Sequence, residues 1–132
     1  MNQIILASHG GLAAGAKDTL EMVLGDVSNV HVVSLARDDK EPITNKVEAM
    51  IATFNADDTV YVLTDMLGSS VNNNMVELSK NGTKFTVVSG FNIPLALTLA
   101  MSPAPVKGAE LAALINDCLL YTSPSPRDYA AS

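Results

Sequence analysis

The sequence predicts an α/β fold: an open, mostly parallel four-stranded sheet in the order 2-1-3-4, with helices on both faces. Three observations carry this expectation. Short apolar runs of strand length alternate with longer stretches of helical period. Each strand candidate is separated from the next by enough chain for a right-handed crossover. The chain has 132 residues, 48% hydrophobic and 17% charged, which suits one domain with a substantial core.

The elements follow in order. Gln3–Ser8 is an apolar run ending in His9-Gly10-Gly11, the pattern of a buried parallel strand entering a tight turn. Leu12–Leu24 has helical period, with Leu12, Ala16, Leu20, Val23 and Leu24 on the expected inner face, and Gly25 stops it. Val30–Leu35 is the second strand. After the polar turn Ala36–Glu41, Pro42 suits the first turn of a helix that runs to Phe54, with Val47, Met50, Ile51 and Phe54 inward. Val60–Thr64 is the third strand and ends at Asp65. Leu67-Gly68-Ser69-Ser70 is a loop, and Val71–Ser79 a third helix that stops before an Asn81-Gly82 turn. Phe85–Ser89 is the fourth strand, Ile93–Met101 a helix with Pro94 in its first turn, and Lys107–Leu119 a last helix with Leu111, Leu114 and Ile115 on one side.

Residues 1–119 therefore read as one domain. Residues 120–132 have neither period, and Pro124 and Pro126 forbid a regular element there. They read either as an irregular or disordered end or as sequence foreign to the domain.

Composition excludes several function classes. Eight Lys plus Arg against fourteen Asp plus Glu give a net charge of −6, with no basic face for nucleic acid. Cys118 is the single cysteine, so no internal disulfide or cysteine–zinc cluster is expected, which fits a reducing cytoplasm. No signal peptide and no apolar run of about 20 residues is present, so a membrane role would come through a partner. Neither GxxxxGK[ST] nor GxGxxG occurs, and no metal or nucleotide cofactor is expected.

The candidate chemistry lies at the strand ends. In the order 2-1-3-4 the first and third strands are neighbours, and the winding reverses between them, which opens a crevice at their carboxyl ends. His9 and Asp65 would face each other across it. A carboxylate on one imidazole nitrogen fixes the tautomer and leaves the other as a nucleophile. Gly68-Ser69-Ser70 opens the third helix, where free amides and small polar side chains suit an anion; helix capping is the plainer task for at least one serine. Gly10 offers the same from the first strand. Arg37, in a surface turn, is a weaker phosphate candidate. Asn72-Asn73-Asn74 reads as a solvated face or, for one of them, a lining of the crevice. His31, between Val30 and Val32, reads as a solvent-edge residue.

Together these residues resemble the enzyme IIA component of the mannose family of bacterial sugar phosphotransferase systems. The resemblance rests on Ser8-His9-Gly10, on Thr64-Asp65-Met66-Leu67-Gly68-Ser69-Ser70-Val71-Asn72-Asn73, and on Gly90-Phe91-Asn92-Ile93-Pro94-Leu95, and covers residues 1–119. It implies a relay in which His9 accepts a phosphoryl group from the histidine-containing phosphocarrier protein. His9 would then pass the group to a IIB domain, and so indirectly to sugar entering through a membrane permease. Asp65 would orient the histidine, and Gly10, Ser69 and Ser70 would lie on the phosphate side. The family often has glycine where this chain has Ser69, and an aromatic residue where it has Leu67. Its members commonly exchange a C-terminal strand within a dimer. The Ser-Pro-Ser-Pro tail stands in that strand's place, which speaks against exchange and leaves room for a homodimer through helical faces.

Two other readings stay open at this level. One is the phosphotransfer subunit of phosphoenolpyruvate-dependent dihydroxyacetone kinase, which begins with a similar domain. The other is a signalling or interaction domain without chemistry. A phosphate-receiving signalling domain in particular would need an acidic pair at the end of the first strand, where this chain has Ser8-His9.

Overall fold

The computed structural model of the chain describes residues 1–66, 68–80 and 85–119. Four strands are present among them: β1 (Asn2–His9), β2 (Val30–Leu35), β3 (Thr59–Thr64) and β4 (Thr86–Ser89). They form one sheet in the order β2-β1-β3-β4, with every pairing parallel. The helices are α1 (Leu12–Leu24), α2 (Ile43–Ile51), α3 (Ser70–Lys80), α4 (Ile93–Met101) and α5 (Gly108–Asp117). The expected class, order and element sequence are all found.

Sidedness follows from the two-residue period of a strand. Ile4, Leu6, Tyr61 and Leu63 point to one face, where they pack with residues of α1, α4 and α5. Ile5, Ala7, Val62 and Val33 point to the other, against residues of α2 and α3. Because β1 is central and covered on both sides, Asn2–Ser8 is buried without interruption, and only His9 emerges. Each fully buried aliphatic side chain contributes about 1.5–3 kcal/mol.

The connection through α1 lies on one face and the connection through α2 on the other. The winding thus reverses between β1 and β3, whose registered pairs run from Asn2↔Thr59 to Ala7↔Thr64. At the opposite end of the molecule the polar core residues are tied down. Asn2 Nδ2 donates to the carbonyl of Ala104 at 3.0 Å, and the Tyr61 hydroxyl donates to the Val106 carbonyl and accepts its N–H, both at 2.7 Å.

Several sequence expectations shift. In α1 the buried face is Ala13, Ala16 and Leu20, whereas Leu12 and Val23 are 56% and 64% exposed. Small alanines let the helix lie close to the sheet, which turns the bulkier Leu12 and Val23 outward. Pro42 precedes α2 rather than opening it, and the helix ends at Ile51; Phe54 follows in a turn and still packs on the core. α3 starts at Ser70, one residue early, and α5 is shorter at both ends than Lys107–Leu119. The Asn81-Gly82 turn and the 120–132 tail lie outside the described residues.

Candidate functional site

The site forms where β1 and β3 end side by side. His9 is the last residue of β1, and Asp65 directly follows β3. Gly10 then turns the chain at φ +56°, a conformation that suits glycine, and its N–H donates to the Leu35 carbonyl at 3.0 Å. Ser8 stabilises the same turn: its buried hydroxyl accepts the Ala13 N–H at 2.9 Å, holding the start of α1. The His9 side chain is left 45% exposed while that of Asp65 is 5% exposed, so the ring is reachable and its partner is shielded.

The Asp65 carboxylate takes four donors. Its Oδ2 accepts the backbone N–H of His9 at 3.0 Å and the ring Nδ1 at 2.7 Å. Its Oδ1 accepts the Met66 N–H at 2.9 Å and the Ser69 hydroxyl at 3.0 Å. Burial alone would push this carboxyl up; the bonds from the His9 backbone and ring, from Ser69 and from Met66 outweigh it and bring it down to about 2.

An ionised carboxylate only accepts, so the partners assign the proton to Nδ1 and leave a lone pair on Nε2. The Ser70 hydroxyl lies 3.0 Å from Nε2 and donates to that lone pair. The imidazole is therefore held at both nitrogens. The resulting group is an exposed, oriented nucleophile whose cationic form, once Nε2 is substituted, has a carboxylate against it.

The two serines do different things. Ser69 is the N-cap of α3: its hydroxyl accepts the Asn72 N–H at 3.1 Å while donating to Asp65. Ser70 opens the helix and faces the ring. The Gly10 amide is engaged with Leu35, so Gly10 brings to the site a turn and an open approach; a Cβ there would meet nothing within 4 Å. Arg37 lies in the exposed turn beyond Leu35, the residue registered with His9.

Asn72 carries more than the sequence revealed. It is 2% exposed, and its Oδ1 accepts the Thr64 hydroxyl at 2.6 Å and the Ser89 hydroxyl at 2.5 Å. It thereby joins α3 to the ends of β3 and β4. The usable signal was a helix-start asparagine lying between two strands that each end in a hydroxyl residue, Thr64 before it and Ser89 after it. Asn73 stays exposed, as a solvated face would. His31 sits on the edge strand away from the site, with its ring centroid 4.8 Å from that of Phe54 and Nε2 2.8 Å from Gln3 Oε1. Burial, then the nearby Lys17, push its pKa down.

An apolar groove of about 610 Å³ lies between the start of α1 and the start of α4, lined by Gly11, Leu12, Ala16, Thr19, Phe91 and Ile93. A larger hollow of about 640 Å³ lies away from the chemistry, near Phe54, Asp58 and Thr86, where β3 and β4 begin. Among the described residues no group of three or more His, Cys, Asp or Glu is placed to hold a metal, and no helix is long and apolar enough to cross a membrane.

Comparison with known proteins gives the family and the fold's relatives. The family model described as "PTS system fructose IIA component" matches residues 3–116. The sorbose-specific EIIA component of a phosphotransferase system from Lacticaseibacillus casei is 26% identical over 110 residues, covering 83% of this chain and 79% of that protein. A PTS IIA protein associated with the fucose utilization operon of Streptococcus pneumoniae superposes with a TM-score of 0.75 at 29% identity, covering 91% of this chain and 92% of that one. The mannose/sorbose specific IIA subunit from Enterococcus faecalis shares the fold, with a TM-score of 0.70 at 22% identity over 94% and 97% of the two chains.

Proposed function

The chain belongs to the PTS fructose IIA component family, whose members are phosphotransfer components of sugar uptake systems, and from that premise we propose that His9 is its phosphoryl carrier. The observation that supports this best is the half-exposed ring held between Asp65 at Nδ1 and Ser70 at Nε2.

The donor is the phosphohistidine of a small phosphocarrier protein. The Nε2 lone pair of His9 attacks phosphorus, and the donor's phosphorus–nitrogen bond breaks, its electron pair returning to the donor imidazole. The proton on Nδ1 stays, so the phosphorylated ring is cationic and lies against Asp65. The Ser70 hydroxyl, released from the lone pair, donates to a phosphoryl oxygen. Transfer of this kind needs alignment and charge stabilisation more than covalent help, and both are present before the donor arrives. Onward transfer to a IIB domain is the same step in reverse with a new acceptor.

Docking is by protein surfaces. Leu12 and Met66, 56% and 58% exposed, flank His9 and Asp65 in sequence and give the site an apolar rim beside the groove. The relay unit is residues 1–119, working in the cytoplasm. Its last helix is tied back to the start of α4 by Asn92 Nδ2, which donates to the Cys118 carbonyl at 2.7 Å.

The test is incubation with phosphoenolpyruvate, enzyme I and the phosphocarrier, followed by intact mass. One acid-labile phosphoryl adduct is expected, absent in His9→Ala and discharged by the cognate IIB domain. An adduct that survives in His9→Ala, or none on the unaltered chain, refutes the assignment.

A further inference from the structure

We propose that Ser69 is a positioning residue that acts on His9 through Asp65, so that the first two residues of the α3 start, Ser69 and Ser70, govern both nitrogens of the ring. Ser70 does so directly at Nε2, and Ser69 at one remove from Nδ1.

The geometry starts with the Ser69 hydroxyl, which has one proton to give. One lone pair on its oxygen accepts the Asn72 N–H at 3.1 Å, and its single proton goes to Asp65 Oδ1 at 3.0 Å. The Ser69 carbonyl accepts the Asn73 N–H at 2.9 Å, the first bond of the helix. Ser69 is thus fixed by α3 rather than by solvent.

α3 in turn is fixed to the sheet. Val71, Asn72, Met75 and Leu78 are buried, and Asn72 Oδ1 holds hydroxyls from the ends of both β3 and β4. The direction of the Ser69 proton is therefore set by the strands that carry the site. A terminal carboxylate torsion is soft and broad. With Ser69 and the Met66 N–H both on Oδ1, the carboxylate plane is locked and Oδ2 faces the ring. Without Ser69 a single donor remains on Oδ1. The plane then swings, and Nδ1 loses its aligned acceptor for part of the time.

Ser69 makes no contact with Nε2, where a phosphoryl group would form, so its effect is on orientation. The kinetic consequence rests on the relay reading above, but the primary test does not. Nitrogen-15 spectra of His9 and the carboxyl titration of Asp65 are recorded on the unphosphorylated full chain, for wild type, Ser69→Gly and Ser69→Thr. Glycine keeps most of the N-cap's stability while removing the hydroxyl, and threonine keeps both cap and donor. In Ser69→Gly the His9 signals should move toward a mixture of tautomers. The Asp65 carboxyl should rise from about 2 by on the order of half a unit. Ser69→Thr should restore both. Uptake from a saturating phosphocarrier should fall about 3- to 10-fold in Ser69→Gly, with the half-saturating carrier concentration unchanged.

Wild-type values in Ser69→Gly, with the α3 amide signals intact, would overturn the proposal. So would a folded Ser69→Thr that fails to match wild type, a comparison that holds even where the glycine variant frays. Spectral shifts as expected in a chain that takes up no phosphoryl group would support the role of Ser69 and refute the relay.

Discussion

Asp65 Oδ2 lies 2.7 Å from Nδ1 of His9 and 3.0 Å from the backbone N of the same residue. One carboxylate oxygen thus fixes both the ring and the strand end that carries it. Because β1 and β3 are neighbours at the point where the winding reverses, no helix lies between these residues, and a short side chain spans the gap. The exposed ring rests on a shielded carboxylate, so access and orientation are supplied by different residues.

Asp65→Asn tests the orientation without changing shape. The amide nitrogen of asparagine can donate to Nδ1, which favours the tautomer with its proton on Nε2 and removes the nucleophilic lone pair. Single-turnover uptake from the phosphorylated carrier should slow by about 10²- to 10⁴-fold, as exchange of the orienting aspartate does in serine-protease triads. A rate within twofold of wild type would remove Asp65 from the mechanism.

The same carboxylate gives the protein an acid-sensitive pair. Its carboxyl, brought from 3.8 down to about 2 in the fold, favours the folded state when ionised. That stability is complete above the unfolded value near 4 and is lost as pH falls through about 2. It amounts to on the order of 2 kcal/mol. Urea unfolding between pH 6 and pH 2 should show a decline that is shallower in Asp65→Ala by that amount. Parallel curves for the two proteins would contradict the hydrogen-bond assignment.

Ser70→Ala separates contact with the reacting nitrogen from support of the fold. Alanine suits the first helical position, and the Ser70 side chain is not needed to cap α3, which Ser69 does. Stability should stay within about 0.5 kcal/mol of wild type. Phosphoryl uptake should fall about 10-fold, because one donor to the transferring group is gone. Equal losses of stability and rate would mean that Ser70 is structural.

Much of this was legible in the residues. β1 reads as a buried strand, apolar from Ile4 to Ala7 and stopped by His9-Gly10; the order 2-1-3-4 was an assumption about how such strands wind, and the facing of His9 and Asp65 rested on that order. The division of labour between Ser69 and Ser70 was not legible. It depends on α3 starting one residue earlier than its apolar period suggests, which makes Ser69 the cap and turns Ser70 to the ring. The outward turn of Leu12 was also hidden, since period alone does not fix which face a helix presents when small and large apolar residues alternate.

Asn72→Leu probes the link that sequence reading passed over. The substitution has similar size and removes the Oδ1 that accepts from Thr64 and Ser89. The Ser89 hydroxyl then loses its recorded acceptor, and Thr64 keeps only a 3.5 Å approach to the Val88 carbonyl. Half-buried and buried hydroxyls left in this way cost about 1–3 kcal/mol each, partly offset by the apolar surface that leucine buries. A net loss of about 2 kcal/mol in urea unfolding is expected, together with faster hydrogen exchange at the start of α3. A mutant as stable as wild type would mean that α3 is held by Val71, Met75 and Leu78 alone, so that the helix start reaches its place without a polar anchor to the strands.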